Sequence, residues 1–460
     1  MVNAVKTRKT YHNRSKIVYN YYVRKVLLYI SAILLCIGCS QGDYDQEITS
    51  PYNQPSGNTL DSLTLRKIFQ KLTPTNSDRK TYPDAGIPRL SIVTETQEDP
   101  KDEYTNIPAF AIIIENGKVV SDTMKLSLHV RGNTTSAMPK RSFKIDFTDK
   151  VNLLGMPENR DWALLANYGD KTLLKNFIAF KLSEWLGASY TPRSRFVELF
   201  LNGSYRGLYQ LTETIEVAKN RVNIPEQQWS YLVEIDRKFR DDEEIVINEH
   251  EITFRIHSPK NPTEESKKQL QLHLDSLDRY LEYIHQDYTL ALDSAPDNWF
   301  DIKDFVRHYW IQEFTKNTDA IPYTSVFFTW VAGSVIRMGP IWDFDMAFGV
   351  PAAQEDPTEW YIRNYSWYHR LAMTPNVSDS IATYWENHRE IFEALPDSID
   401  VFAAQISAAV ENNYKFWNDI LGNVNDDTYT KAYNSHAEAV EDLKSWITKR
   451  TRWINENLRN

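Results

Sequence analysis

Two aspartates, Asp343 and Asp345, stand in the apolar stretch GPIWDFDMAFG. A carboxylate among Ile, Trp, Phe and Met is either a turn residue satisfying its own backbone at a strand end, or a ligand for a hard cation. A third, Asp319, lies in the loop NTDAIPYT, which follows the helical segment DIKDFVRHYWIQEFTKN. Between them, VFFTWV and VIRMGPIW read as two strands turned at Ala332-Gly333-Ser334. A hairpin returns the chain to its starting end, so Asp319 and Asp343 are expected side by side. Carboxylates converging there repel one another, unless a cation sits between them or one holds a proton.

The elements that must position these groups begin at Pro88. RLSIVTE, PAFAIIIENGKVV and KLSLHVRGN are β-rich, and Asn116-Gly117 is a hairpin signal. RSFKIDF alternates, with Phe143, Ile145 and Phe147 on one face and Lys144 on the other. Arg131 and Lys144 thus fall on adjacent strands. DKTLLKNFIAFKLSEWLG predicts a helix capped by Asp170 and ended by Gly187. RFVELFLNG and YRGLYQLTE form a second hairpin, leading to a hinge candidate at Leu211-Thr212-Glu213. A charged stretch containing the helix SKKQLQLHLDSLDRYLEYIH runs to about residue 300, and the last hundred residues are mostly helical. Lysine-bearing strand, helix, strands, helix, acidic loop, hairpin and second acid is the layout of a protein kinase active centre. Strict G-x-G-x-x-G, H-R-D and D-F-G motifs are absent, and Asp343-Phe344-Asp345 stands where the last would be.

The net charge of -10 gives no electrostatic footprint for nucleic acid. The ten His have no zinc spacing. Thirteen Trp and 26 Tyr serve core packing or platforms for sugar rings. A basic lead precedes the apolar run from Val26 to Ile37, which has signal-peptide length rather than membrane-span length. Ile37-Gly38-Cys39 resembles a bacterial lipobox, although Cys36 stands where Leu is usual; Cys39 is then the lipidated first residue of the mature protein. Both cysteines fall in or beside the leader, so no disulfide is expected in the mature body. The expected organisation is a lipoprotein signal peptide over 1–39, a tether over 40–87 and one domain over 88–460. The location expected is the cell envelope, lipid-anchored at the outer membrane with outward display, after SQGDYDQE, which resembles stretches of Bacteroides-group surface lipoproteins.

Several blocks resemble the spore-coat protein H (CotH) family, in its Bacteroides-type lipoprotein branch: LHVRGNTTSAMPKRSFKIDF, NYGDKTLLKNFIAFKLSEWLG, VELFLNGSYRGLYQLTETIE, YLVEID, NTDA and GPIWDFDMAFG, over roughly residues 88–350. The resemblance implies an α+β, divergent protein-kinase-like fold, with an antiparallel β-rich N-lobe over about 88–235 and a mainly helical C-lobe over about 236–460. It implies ATP as substrate, Mg²⁺ or Mn²⁺ as metal, and Ser or Thr of an exported protein as acceptor. By position, Asp319 corresponds to the catalytic-loop acid and Asp343 to the metal ligand, with Asp345 as a further ligand. Arg131 and Lys144 are the candidates for phosphate contact, and Glu213 for the adenine edge. One departure stands out. Active spore-type members continue the catalytic loop to an Asn, whereas here Thr324 and Ser325 occupy that region. This leaves open an inactive surface module that binds a protein or glycan partner.

Overall fold

The computed structural model describes residues 62–133, 135–237, 243–286, 295–321, 324–422 and 431–459. The leader and Cys39 lie outside them. Among the described residues no helix is long and apolar enough to cross a membrane.

Helix α1 (Ser62–Leu72) places Leu65, Ile68 and Leu72 on one face. Helix α2 (Asn76–Thr81) opens with a capping box between Thr75 and Asp78. Strands β1 (Arg89–Thr94) and β2 (Ile107–Glu115) are buried on both faces. Ile92, Ala111 and Ile113 point into one core, while Val93, Phe110 and Ile112 pack under α1. Strands β3 (Lys118–Val119), β4 (Met124–Arg131), β5 (Ser142–Val151), β6 (Asn159–Leu165), β7 (Ser194–Leu201) and β8 (Ser204–Glu213) complete the region. The order is β1-β7-β8-β6-β5-β4-β2-β3, and β1 also pairs with β2. Seven of these strands therefore close into a barrel, with β3 attached to β2. The β1–β7 junction is parallel, with Leu90 opposite Leu199, so the sheet is mixed. Leu128, Ile145, Trp162, Leu164, Leu199 and Leu211 fill its interior. Each such buried side chain contributes about 1.5–3 kcal/mol.

A second sheet has the order β10-β11-β9-β12-β13. It is formed by β9 (Ser230–Ile235), β10 (Ile245–Ile247), β11 (Thr253–Ser258), β12 (Val326–Val331) and β13 (Arg337–Met338). Helices α3 (Lys175–Trp185), α4 (Glu264–Gln286), α5 (Ile302–Thr315), α6 (Ser366–Ala372), α7 (Pro375–Glu393), α8 (Leu395–Phe416) and α9 (His436–Asn457) complete the chain. They share one large core with this sheet.

This architecture corrects the expected fold. The β-rich region is not the antiparallel N-lobe of a kinase, and the remainder is not its mainly helical C-lobe. A closed mixed barrel is followed by a second sheet and its helices. Closure satisfies the strand edges that an open lobe leaves exposed. It depends on the pairing of β1 with β7, about a hundred residues away, which no local pattern reports.

Two smaller expectations also change. Leu211-Thr212-Glu213 is no hinge but the end of β8, paired with both β6 and β7. Asp170 is not the N-cap of α3, which is Leu174. Its carboxylate accepts instead from the N–H groups of Thr172 and Lys175, at 2.8 Å each, and so satisfies the helix start from one turn upstream. Gly187, at φ +77°, closes the other end: its N–H donates to Glu184 O and that of Ala188 to Ser183 O.

Candidate functional site

The segment 342–349 is fixed by hydrogen bonds from three directions. Phe344 N–H donates to Asn176 Oδ1 on α3 at 2.8 Å. Asn176 Nδ2 donates to Asn167, whose own amide reaches Gln210 on β8. Lys175 Nζ donates to Ala347 O at 2.9 Å. From the end of α5, Thr318 N–H and Oγ1 both reach Met346 O, and Phe348 N–H donates to Thr315 O. Phe344 and Ala347 are fully buried. These anchors set which way the intervening aspartates face.

Asn317 joins the two halves of the site. Its Nδ2 donates to Asp343 O at 3.0 Å, and its Oδ1 accepts from Asp319 N–H at 3.2 Å. Asp343 adopts φ +64°, a left-handed conformation that Asp and Asn tolerate better than most residues. The hairpin brings Asp319, Asp343 and Asp345 together, each offering one oxygen, all within 4.8 Å of one another. Burial, and then the charges of Asp343 and Asp319, push the Asp345 carboxyl well above the ordinary carboxylate range, with the Lys175 charge opposing. Burial in turn pushes Lys175 down, against the pull of Asp170 and Asp345. Three hard oxygen donors in a repulsive cluster suit Mg²⁺ or Mn²⁺, whose charge would relieve that repulsion.

Arg131, at the end of β4, lies within electrostatic reach of Asp343. Its guanidinium sits 5.0 Å from the centre of the Trp342 ring, and Trp342 stacks on Phe180. Burial works against its charge, while Asp343 and then Glu234 favour it. Its Nη1 is buried without a hydrogen-bond partner. Such a donor normally finds an acceptor, and an anion beside the aspartates would supply one.

Lys144 and Glu213 are engaged elsewhere. Lys144 Nζ lies 2.9 Å from Asp146 Oδ1 and 3.0 Å from Asp161 Oδ1. No ion pair among the described residues joins it to the three aspartates. Glu213 is fully buried and accepts from Arg193 Nε, Nη2 and backbone N–H and from the Tyr190 hydroxyl. That makes it a structural anchor between β8 and the 190–193 segment. Ser325, at φ +61°, places Oγ 3.5 Å from Asp343 Oδ2, and Thr324 Oγ1 donates to Asp236 Oδ1 at 3.2 Å.

Sequence reasoning missed Asn317, Lys175, Asn176 and Glu234. Asn317 stands two residues before Asp319, the spacing of an Asx turn, and that signal could have marked it. The others act across the fold, and no local spacing announces them.

A family model described as CotH kinase protein matches residues 128–454. The match covers all three aspartates, Arg131, Lys144 and Glu213. Comparison with curated proteins yields no significant match.

Proposed function

The chain belongs to the CotH kinase protein family, and from that premise we propose a kinase-like enzyme that holds Mg²⁺ or Mn²⁺ at Asp343 and Asp345, with Asp319 as the acid beside them, and transfers phosphate from ATP to Ser or Thr of an exported protein. The observation that carries the reading is the convergence of the Asp319, Asp343 and Asp345 carboxylates within 4.8 Å, with Arg131, whose Nη1 has no partner, in electrostatic reach of Asp343. The metal, when bound, would neutralise phosphate charge and orient the transferring group. Asp343 and Asp345 would hold it. Asp319 would orient the acceptor hydroxyl and take its proton. Arg131 is favoured over Lys144 for phosphate contact, because the Lys144 charge is already met by two carboxylates. A guanidinium also presents a fork that matches phosphate oxygens. Cys39 would anchor the protein by lipid to the outer membrane, within reach of exported proteins or glycans.

One observation favours a second reading, a module that binds a partner without turnover. Ser325 Oγ lies 3.5 Å from the Asp343 carboxylate, and a hydroxyl is a poorer metal ligand than an amide oxygen. Thermal unfolding of the full-length protein with ATP and Mg²⁺ tests the proposal. A metal-dependent rise in midpoint that Asp343→Asn abolishes is expected. No rise at millimolar nucleotide would sink it, and a rise without transfer of labelled γ-phosphate would favour the second reading.

A further inference from the structure

Against the β12–β13 hairpin lies a cavity of about 130 Å³. The end of α3, the turn at Ser189 and Tyr190, the 221–224 segment, α5 and the run Met338–Ile341 enclose it. An apolar cavity of about 150 Å³ is enough for a benzene ring. The lining is not purely apolar. Arg221, Arg307 and Arg337 all line it, and no carboxylate does.

These guanidinium groups keep donors in reserve. Arg221 is 4% exposed, and its Nε lies 4.0 Å from Glu213 Oε1 with no hydrogen-bond partner. Arg307 is buried and uses Nη2 on Asp304. Arg337 uses Nε on Asp304 and Nη2 on Asp301. Among the described residues, Nη1 of Arg307 and Nη1 of Arg337 have no hydrogen-bond partner. Val222, Ile311 and Ile341 add apolar lining.

We propose that this cavity binds a small organic carboxylate whose apolar body is about the size of one benzene ring. The carboxylate would take the free guanidinium donors, and the ring would lie on the apolar walls. Guanidinium–carboxylate bonds are charge-assisted and directional, so the charged form is selected over a neutral isostere. Met338–Ile341 lead directly into Trp342 and Asp343, yet none of the three aspartates lines the cavity. The site therefore stands apart from the metal reading.

Calorimetric titration of the full-length protein with benzoate, benzamide and inorganic phosphate tests it. Saturable 1:1 binding of benzoate is expected, about tenfold or more tighter than benzamide or phosphate. Arg337 is 55% exposed in its side chain, so Arg337→Gln should fold. Ser189 is exposed at the cavity, and Ser189→Trp fills the space without removing a buried bond. Each variant should weaken benzoate about tenfold, and Asp343→Asn should leave it unchanged. Absence of binding up to about 20 mM, equal binding of benzamide, or unchanged affinity in either cavity variant would overturn the proposal.

Discussion

Replacing Asp345 with Asn should stabilise the metal-free protein at neutral pH. Its carboxyl is raised well above the ordinary value of 3.8 by burial and by Asp343 and Asp319, against the pull of Lys175. The folded protein then keeps a proton that the unfolded chain has released. Folded-state proton binding exceeds unfolded-state binding from the ordinary carboxylate value upward, so stability in that window falls as pH rises. Each pH unit crossed removes about 1.4 kcal/mol per proton. Asparagine has no charge to desolvate and can still donate to Asp343. The variant's lead should widen as pH rises from 5 to 8, by on the order of 1–2 kcal/mol. Unfolding entropy is about 2 cal/mol/K per residue, hence roughly 0.8 kcal/mol/K for a body of about 400 residues, so the lead widens by about 1–3 °C. Differential scanning calorimetry in chelator from pH 5 to 8 reads it directly. With Mn²⁺ at a hundredfold over its Kd the wild type should gain about 2.7 kcal/mol, or about 3 °C. The variant, lacking one charged ligand, should gain less, so the order of the two midpoints reverses. A variant less stable than wild type in chelator at every pH would refute the reasoning. It would show that the Asp345 charge is held favourably by Lys175 rather than repelled by its neighbours.

Gly207 takes φ +104°, and an added Cβ would meet Asn413 Oδ1 at 2.5 Å and Trp417 Nε1 at 3.0 Å; Gly207→Ala should cost about 1–3 kcal/mol by urea unfolding. Arg450 and Glu313 form an ion pair at 2.6 Å with neither side chain exposed. Arg450→Ala leaves the carboxylate buried and should cost about 3–5 kcal/mol in the same assay. His308 is held down to about 3, mainly by burial and then by Arg307. The stability it contributes is complete above its ordinary 6.5 and lost as pH falls toward 3. His308→Gln should therefore flatten the acid limb of the stability curve by about 1.4 kcal/mol per pH unit, read from urea midpoints between pH 4 and 6.

What could be read from the chain was local. Asn116-Gly117 and Asn202-Gly203 turn their hairpins with both residues at positive φ, as the dipeptides predict. The turn at Ala332-Gly333-Ser334 lies between β12 and β13, and the hairpin returns the chain so that Asp343 meets Asp319. Barrel closure could not be read, because Leu90 meets Leu199 only in three dimensions. Nor could the separate fates of Arg131 and Lys144. Both lie on the outward face of adjacent strands, with Arg131 opposite Ser142 and Lys144 opposite His129. The partners that set them apart, Trp342 for one and Asp161 for the other, come from distant segments. Lys175 and Asn176 sit in a helix whose pattern signals only packing, and their polar work is visible only once the 342–349 segment is laid against them.

Asp343 and Asp345, beside Asp319, are proposed to hold a divalent metal shared with nucleotide. Titration of the full-length protein with Mn²⁺, followed by electron paramagnetic resonance at pH 7 with and without ATP, tests it most directly. Asp343→Asn is the control, because Asn accepts the left-handed backbone there and leaves the Asn317 bond to the carbonyl intact. Saturable Mn²⁺ binding is expected that tightens with ATP and is weakened at least about tenfold by Asp343→Asn. Binding that is absent at millimolar Mn²⁺, or indifferent to that substitution, would contradict it.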